Sequence, residues 1–219
     1  MGKCVGICPY FIIMLNKTEI ENNKQRFKDL VSSISRLSDE ELHNVLSYFD
    51  NTDFFVAPAS TKYHGAYEGG LCEHSLKVYD NLKKLYDTFH FNLDQNDQDS
   101  ITIVSLFHDL GKINFYKKEI KHRKVYDKSG NSKWEDYLGY NVVEPTSRFL
   151  LGNHEENCAY LASTLVPLRA SEYSAILNHH GTLGWDSAKG NISEIYDNNA
   201  LAQFLHYADS IDAYDPSNK

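Results

Sequence analysis

Residues 101–107 read ITIVSLF, a run built to be buried, and the next two residues are His108 and Asp109. An ionised Asp at the end of a buried helix must be paired, because an isolated buried charge is far costlier than a hydrogen-bonded or neutralised one. A Lys, a hydrogen-bonded His or a metal ion can each supply that pairing. The chain therefore has to place at least one such partner in its interior.

Most of the remaining sequence has helical spacing. Residues 23–34 put Phe27, Leu30, Val31 and Ile34 on one face. Ser38, with Glu41 three residues on, is a capping-box pattern that opens a helix through Phe49. FFVAPASTKYHGAYEGG, broken by Pro58 and by glycines 65, 69 and 70, reads as a loop. In 71–89, Leu71, His74, Val78, Leu82 and Leu85 recur at helical spacing, so His74 sits inside an apolar stripe. Further helices are expected over 100–110, closed by Gly111, over 144–152, 155–165 and 170–178, and over 198–213. Residues 114–139 are polar and are expected to form a flap over a pocket or a plain surface loop. No run shows clean strand alternation, so the expected fold class is all-α.

The formal charge of -8, from 22 Lys plus Arg against 30 Asp plus Glu, argues against a non-specific duplex-DNA binder, which needs a broad basic face, and, with no recognisable helix-turn-helix, against a sequence-specific duplex-DNA partner. Cys4, Cys8, Cys72 and Cys158 make no four-thiolate zinc pattern and no disulfide framework, which points to a reducing cytoplasm. The apolar opening, MGKCVGICPYFIIML, is broken by Pro9 and too short to span a bilayer, so no membrane partner is expected.

Several ionisable side chains fall where an apolar one would pack better. They are His74, His108–Asp109, His154, His179–His180 and Asp209, the last sharing a face with Ala202, Leu205 and Asp212. Each needs an interior partner, and one shared site satisfies them together. Imidazole and carboxylate donors suit Mn, Fe, Co, Ni or Zn better than Ca. A carboxylate next to a ligating His has two oxygens and can bridge two ions, which at roughly 3.5–4 Å would clamp a phosphoryl group and activate one water between them.

In this pattern His74, the dyad His108–Asp109 and Asp209 resemble the H…HD…D signature of the HD-domain metal-dependent phosphohydrolases. His154 and His179–His180, lying between the dyad and the distal Asp, resemble the extra histidines of its two-metal subgroup, as does HDLGK ending in Lys112. GGLCEHSLKVYDNL, LFHDLGKI, LNHHG and LHYADSIDA resemble the HD domain of bacterial HD-type 3′→5′ exoribonucleases and small HD hydrolases of Firmicutes and their phages; the latter share PASTKYHGAYEGGL. The resemblance spans residues 61–214 and implies an HD-type helical bundle around a central metal site. It divides the chain into a helical extension over 1–60, packed on the core, and a hydrolase domain over 61–219. The extension reads as helix, unlike the OB-fold module of the exoribonucleases, and GTLGW follows the His pair where cyclic-di-GMP hydrolases carry GYP.

The resemblance also implies roles. His74, His108, Asp109 and Asp209 hold a first ion, and Asp109 bridges to a second held by His154 and His179. His180 is either a ligand or a contact to substrate phosphate. Lys112, three residues after Asp109, reaches a phosphate oxygen or serves only as a helix-end lysine. Asp212 either orients a ligand imidazole or is an exposed acid. Lys62 and His64 stand before the first ligand helix, at a pocket mouth or on a solvated loop. Trp134 and Tyr137, and Trp185 after the His pair, either stack a base or pin a segment to the core. The basic run KKEIKHRK seats a short oligonucleotide or is a solvated face.

The expected function is metal-dependent hydrolysis of a phosphodiester or phosphomonoester, with two divalent transition-metal ions as cofactors and a small nucleotide or short single-stranded oligonucleotide as substrate. The alternatives are a nucleotidase or deoxynucleoside triphosphohydrolase, and, in another class, a metal-stabilised binding or regulatory module without catalysis.

Overall fold

The structure, a computed structural model, describes residues 14–89, 95–127, 129–147, 152–183 and 191–215. It is mostly helical, with eight α-helices and one two-stranded sheet among the described residues. The helices are α1 (Lys17–Ser32), α2 (Asp39–Asp50), α3 (Gly70–Thr88), α4 (Gln95–Phe107), α5 (His154–Leu165), α6 (Ala170–Leu177), α7 (Ile192–Asn198) and α8 (Ala200–Ala213). Between α4 and α5 runs the hairpin of β1 (Tyr116–Tyr126) and β2 (Ser132–Val142).

Local chemistry sets the helix starts. The Asn16 side chain accepts from the Glu19 N–H while Glu19 reaches back to the Asn16 N–H. This capping box starts α1 at Lys17, earlier than the apolar spacing of 23–34 indicates, because the added turns are exposed and carry no apolar stripe. Ser38 and Glu41 cap α2 as expected, and Asn153 and Glu156 cap α5 in the same way. α3 starts where Gly65 and Gly70 meet: a side chain on Gly70 would stand 2.1 Å from the Gly65 carbonyl oxygen. That contact closes the loop carrying His64 over the start of α3, helped by the bond from the Ala59 N–H to the Gly65 carbonyl.

α4 is the central helix. Ile101, Ile103, Val104, Leu106 and Phe107 are all buried, as are Thr102 and Ser105 between them. Phe27 and Phe49 from α1 and α2 join Phe54 and Phe107 in an aromatic core whose nearest ring centroids lie 4.7 Å apart. The first two helices thus share one hydrophobic cluster with α3, α4, α5, α6 and α8. Residues 1–13, including Cys4 and Cys8, lie outside the described residues. No helix among the described residues is long and apolar enough to cross a membrane.

Four expectations are corrected. The α4 helix ends at Phe107, not Leu110; His108 and Asp109 form the turn into a short 3-10 helix, Leu110–Lys112. Residues 114–139 are neither a loop nor helical, and the fold is therefore not purely all-α: β1 and β2 pair antiparallel from Tyr116↔Val142 to Tyr126↔Ser132. The alternation that marks a half-buried strand is missing because the hairpin has little core to face. Ile120, Leu138 and Trp134 are all mostly exposed. In 144–152, the described residues form only a 3-10 turn, Pro145–Ser147, and 148–151 lie outside the description. Over 198–213, Asn198 ends α7 and Asn199 caps a separate α8.

Candidate metal centre

Five segments converge on Asp109. His74 comes from the buried face of α3, and His108 and Asp109 from the turn after α4. His154 is the first residue of α5, His179 and His180 follow α6, and Asp209 lies on the inner face of α8. Ending α4 before the dyad frees both side chains from the helix surface and turns them toward the centre.

The donors form two groups. His74, His108 and Asp209, all buried, have ligand atoms within 4.8 Å of one another, and so do His154, His179 and His180. The His74 Nε2 lies 3.2 Å from Asp209 Oδ1 and 3.2 Å from His108 Nε2. Asp109 stands between the groups. Its Oδ2 faces the first, 3.4 Å from His74 Nε2 and 3.6 Å from His108 Nε2. Its Oδ1 faces the second, 2.9 Å from His154 Nε2 and 3.9 Å from His179 Nε2.

The outer nitrogens of four of these histidines are tied down. Nδ1 of His108 donates to the Ser105 carbonyl and Nδ1 of His179 to the Ile176 carbonyl, at 2.8 and 2.6 Å. Nδ1 of His74 donates to Asp212 Oδ2 at 2.7 Å, and Nδ1 of His180 to Glu155 Oε1 at 2.8 Å. With Nδ1 carrying the proton, Nε2 of a neutral ring is left as a lone-pair donor. The buried Nε2 of His179 has no hydrogen-bond partner. An orphaned imidazole nitrogen beside a carboxylate fits a divalent cation, and so does this set of nitrogen and oxygen donors.

The electrostatics differ across the set: two rings are held neutral, while His74 is held toward its charged form and would have to lose a proton to ligate. Burial pushes His108 down to about 4 and His179 well below its usual range, keeping both neutral as ligands require. Burial also opposes charge on His74, but hydrogen bonds to Asp109, Asp209 and Asp212 outweigh it and raise that ring well above 6.5. Burial disfavours the Asp109 carboxylate, yet Lys112, His108, His154 and His74 hold it well below the usual range.

Lys112 Nζ lies 2.6 Å from Asp109 Oδ2. It lines a cavity of about 220 Å³ with His64, His180, His206, Asp209 and the end of α8. The His64 ring lies 4.7 Å from the His74 ring and is tilted 45° to it, and its Nε2 is buried without a partner. Of the other expected contacts, Asp212 is buried against His74, whereas Lys62 is exposed beside the Tyr63 ring. Trp134 and Tyr137 stand on β2, Trp134 mostly exposed and Tyr137 beneath Arg123, and neither lines the cavity. Trp134, so exposed, does not pin the hairpin to the core. It pairs with Lys124, eight residues beyond Tyr116, roughly 26 Å along the strand at ~3.3 Å per residue. Trp185 lies outside the described residues.

Three residues near the centre were not anticipated: Glu155, which holds His180; His206, whose Nδ1 donates to the His179 carbonyl at 2.8 Å; and Cys158, at 3.5 Å from His154 Nε2. Their spacing carried a signal. Glu155 adjoins His154, His206 lies one turn before Asp209, and Cys158 lies one turn after His154. No protein-family model matches the chain, and no solved structure matches it.

Proposed function

We propose that the chain is a metal-dependent phosphohydrolase of the HD type, acting on the phosphoester of a small nucleotide or related phosphate. The observation that carries this reading is Asp109, whose two oxygens face two separate groups of ligand-forming side chains. One ion would be held by His74, His108, Asp109 and Asp209, and a second by Asp109, His154 and His179, with His180 beside it. Two divalent ions in such a site supply Lewis acidity and lower the pKa of a water enough to make it a nucleophile at neutral pH.

The chain's own residues supply the rest. Asp212, Ser105, Ile176 and Glu155 fix the imidazoles through their outer nitrogens. Lys112 keeps a positive charge at the cavity wall, because the attraction of Asp109 outweighs its burial and raises its pKa. That charge favours negative charge developing on phosphoryl oxygens.

Two features favour a small phosphoester over a nucleic-acid chain lying along the hairpin. The cavity is compact and ringed by Lys112, His64, His180 and His206. The basic strand is largely neutralised: Lys118 pairs with Glu68, Arg123 with Glu135 and His122 with Asp136. The test is a screen of the pure protein with Mn, Fe, Co, Ni and Zn against a generic diester, RNA and DNA oligomers, cyclic nucleotides, and nucleoside mono- and triphosphates. Turnover of a small phosphoester, lost in D109A, supports the reading. Two bound ions with no hydrolysis of any substrate would replace it with a metal-stabilised binding module.

A further inference from the structure

We propose that Cys158 is a thiolate ligand of the ion that Asp109 and His154 would hold, an inference that rests on the metal-centre reading above. Cys158 lies on α5 one turn beyond His154, so the two side chains share a helical face. Asp109, His154 and Cys158 have their ligand atoms within 4.8 Å of one another. The Sγ lies 3.5 Å from His154 Nε2 and 3.8 Å from its Nδ1. A tetrahedral ion with a metal–sulfur bond of about 2.3 Å and a metal–nitrogen bond of about 2.0 Å has a sulfur–nitrogen edge of about 3.5 Å. A second observation points to a ligand in the same place: the buried, unpartnered Nε2 of His179 stands 3.9 Å from Asp109 Oδ1.

The surroundings suit a coordinated sulfur. Cys158 is fully buried, and the Gly111 N–H points at its Sγ from 3.2 Å, a hydrogen bond that strengthens when the acceptor is charged. Gly111 eases that approach, since a side chain there would stand 3.0 Å from the sulfur and 3.3 Å from His154 Nδ1 and would crowd both. Coordination forms a metal–sulfur bond and releases the thiol proton to solvent; nothing is oxidised or reduced. A soft thiolate biases this position toward Zn and Co over Mn more strongly than do the nitrogen and oxygen donors of His74, His108 and Asp209.

The test is cobalt titration of the full chain under reducing conditions, in a variant whose Cys4, Cys8 and Cys72 are replaced by Ser so that Cys158 is the sole thiol. The expected result is a near-ultraviolet thiolate-to-cobalt charge-transfer band that saturates with one of two bound ions. Adding C158S should abolish the band and weaken Co and Zn binding by about tenfold or more, with Mn affinity changed by less than about twofold. Two cobalt ions bound without the band overturn the inference and leave the metal centre standing. No bound ion in the wild-type chain overturns the metal centre itself, and the inference with it. If C158S fails to fold, the sole-cysteine variant decides alone: band present supports, band absent overturns.

Discussion

Asp109 and Lys112 are separated by 2.6 Å, and the proposed mechanism gives them different tasks that substitution would separate. Asp109 faces both ligand groups, so D109A should lose both ions and turnover together. K112A should keep its ions and its circular dichroism while kcat falls by roughly 10²–10³, the loss of a single donor to a developing oxyanion. A K112A enzyme with unchanged kcat would return Lys112 to a helix-end role. Asp212 acts one bond further out, by donating no ligand and instead fixing the His74 ring through Nδ1. D212N should therefore lower affinity for one ion by about 10–100-fold, with the other unaffected, as read by isothermal titration against Mn. Equal weakening of both ions would mean that Asp212 supports the fold rather than one imidazole.

At the scale of elements, legibility follows from burial. Ser38 with Glu41 and the His74 stripe of α3 were readable because capping chemistry and a buried face each leave a local pattern. The site residues were readable for the converse reason, as ionisable groups on apolar stripes or at helix ends. The hairpin was not, because strands exposed on most of their surface carry no burial-driven alternation. Nor was the end of α4, where Asp109 takes a bridge-region backbone that no side-chain pattern announces. Cys158 and His206 were missed because a small thiol and a lone His on helices look like ordinary packing. One long-range pairing was also illegible: Arg36, in the α1–α2 connection, forms a bidentate pair at 2.7 and 2.5 Å with Glu172 on α6. Glu172 is fully buried and also accepts from Ser100. Burial pushes its carboxyl up, but the bonds from Arg36, Ser100 and the Arg169 N–H outweigh this and hold it below the ordinary 4.5. A carboxyl lowered in the folded state stabilises in full above its unfolded value and loses that contribution as pH falls through the folded value. E172A should cost about 3 kcal/mol in urea unfolding at neutral pH, the low end for a broken buried pair because Arg36 reaches some solvent. E172Q should flatten the acid limb of stability below pH 4.5. A variant that unfolds at the wild-type urea midpoint would show the pair to be energetically neutral.

For the molecule as a whole, the donors come from five separate segments, so two ions sharing Asp109 would tie those segments together. A ligand that binds only the native state stabilises it by about 2.7 kcal/mol at 100 times its Kd. For a chain of this length, each kcal/mol moves Tm by roughly 2–4 °C, giving an expected rise of roughly 5–10 °C when Mn, Co or Zn is added to chelated protein. D109A, or D109N if the alanine variant is poorly folded, should show no rise. The stripped protein should also be sensitive to acid. His64 and His108 are each lowered by burial to about 4, against 6.5 for an exposed ring. Between about 6.5 and about 4 the unfolded chain takes up protons that the folded chain does not, so folding stability falls as pH drops through that window. His74 acts in the opposite sense. Its raised folded pKa stabilises fully below 6.5, and that contribution fades only as pH rises through its folded value. His74 therefore gives no protection against the acid-side loss relative to pH 6.5. Ligation requires neutral imidazoles, so the same acidification weakens metal binding. Melting curves with and without Mn from pH 7.5 to 4.5 should thus converge as pH falls. Curves that stay parallel, with elemental analysis showing the ions still bound at pH 4.5, would mean that the ions are not held by these histidines.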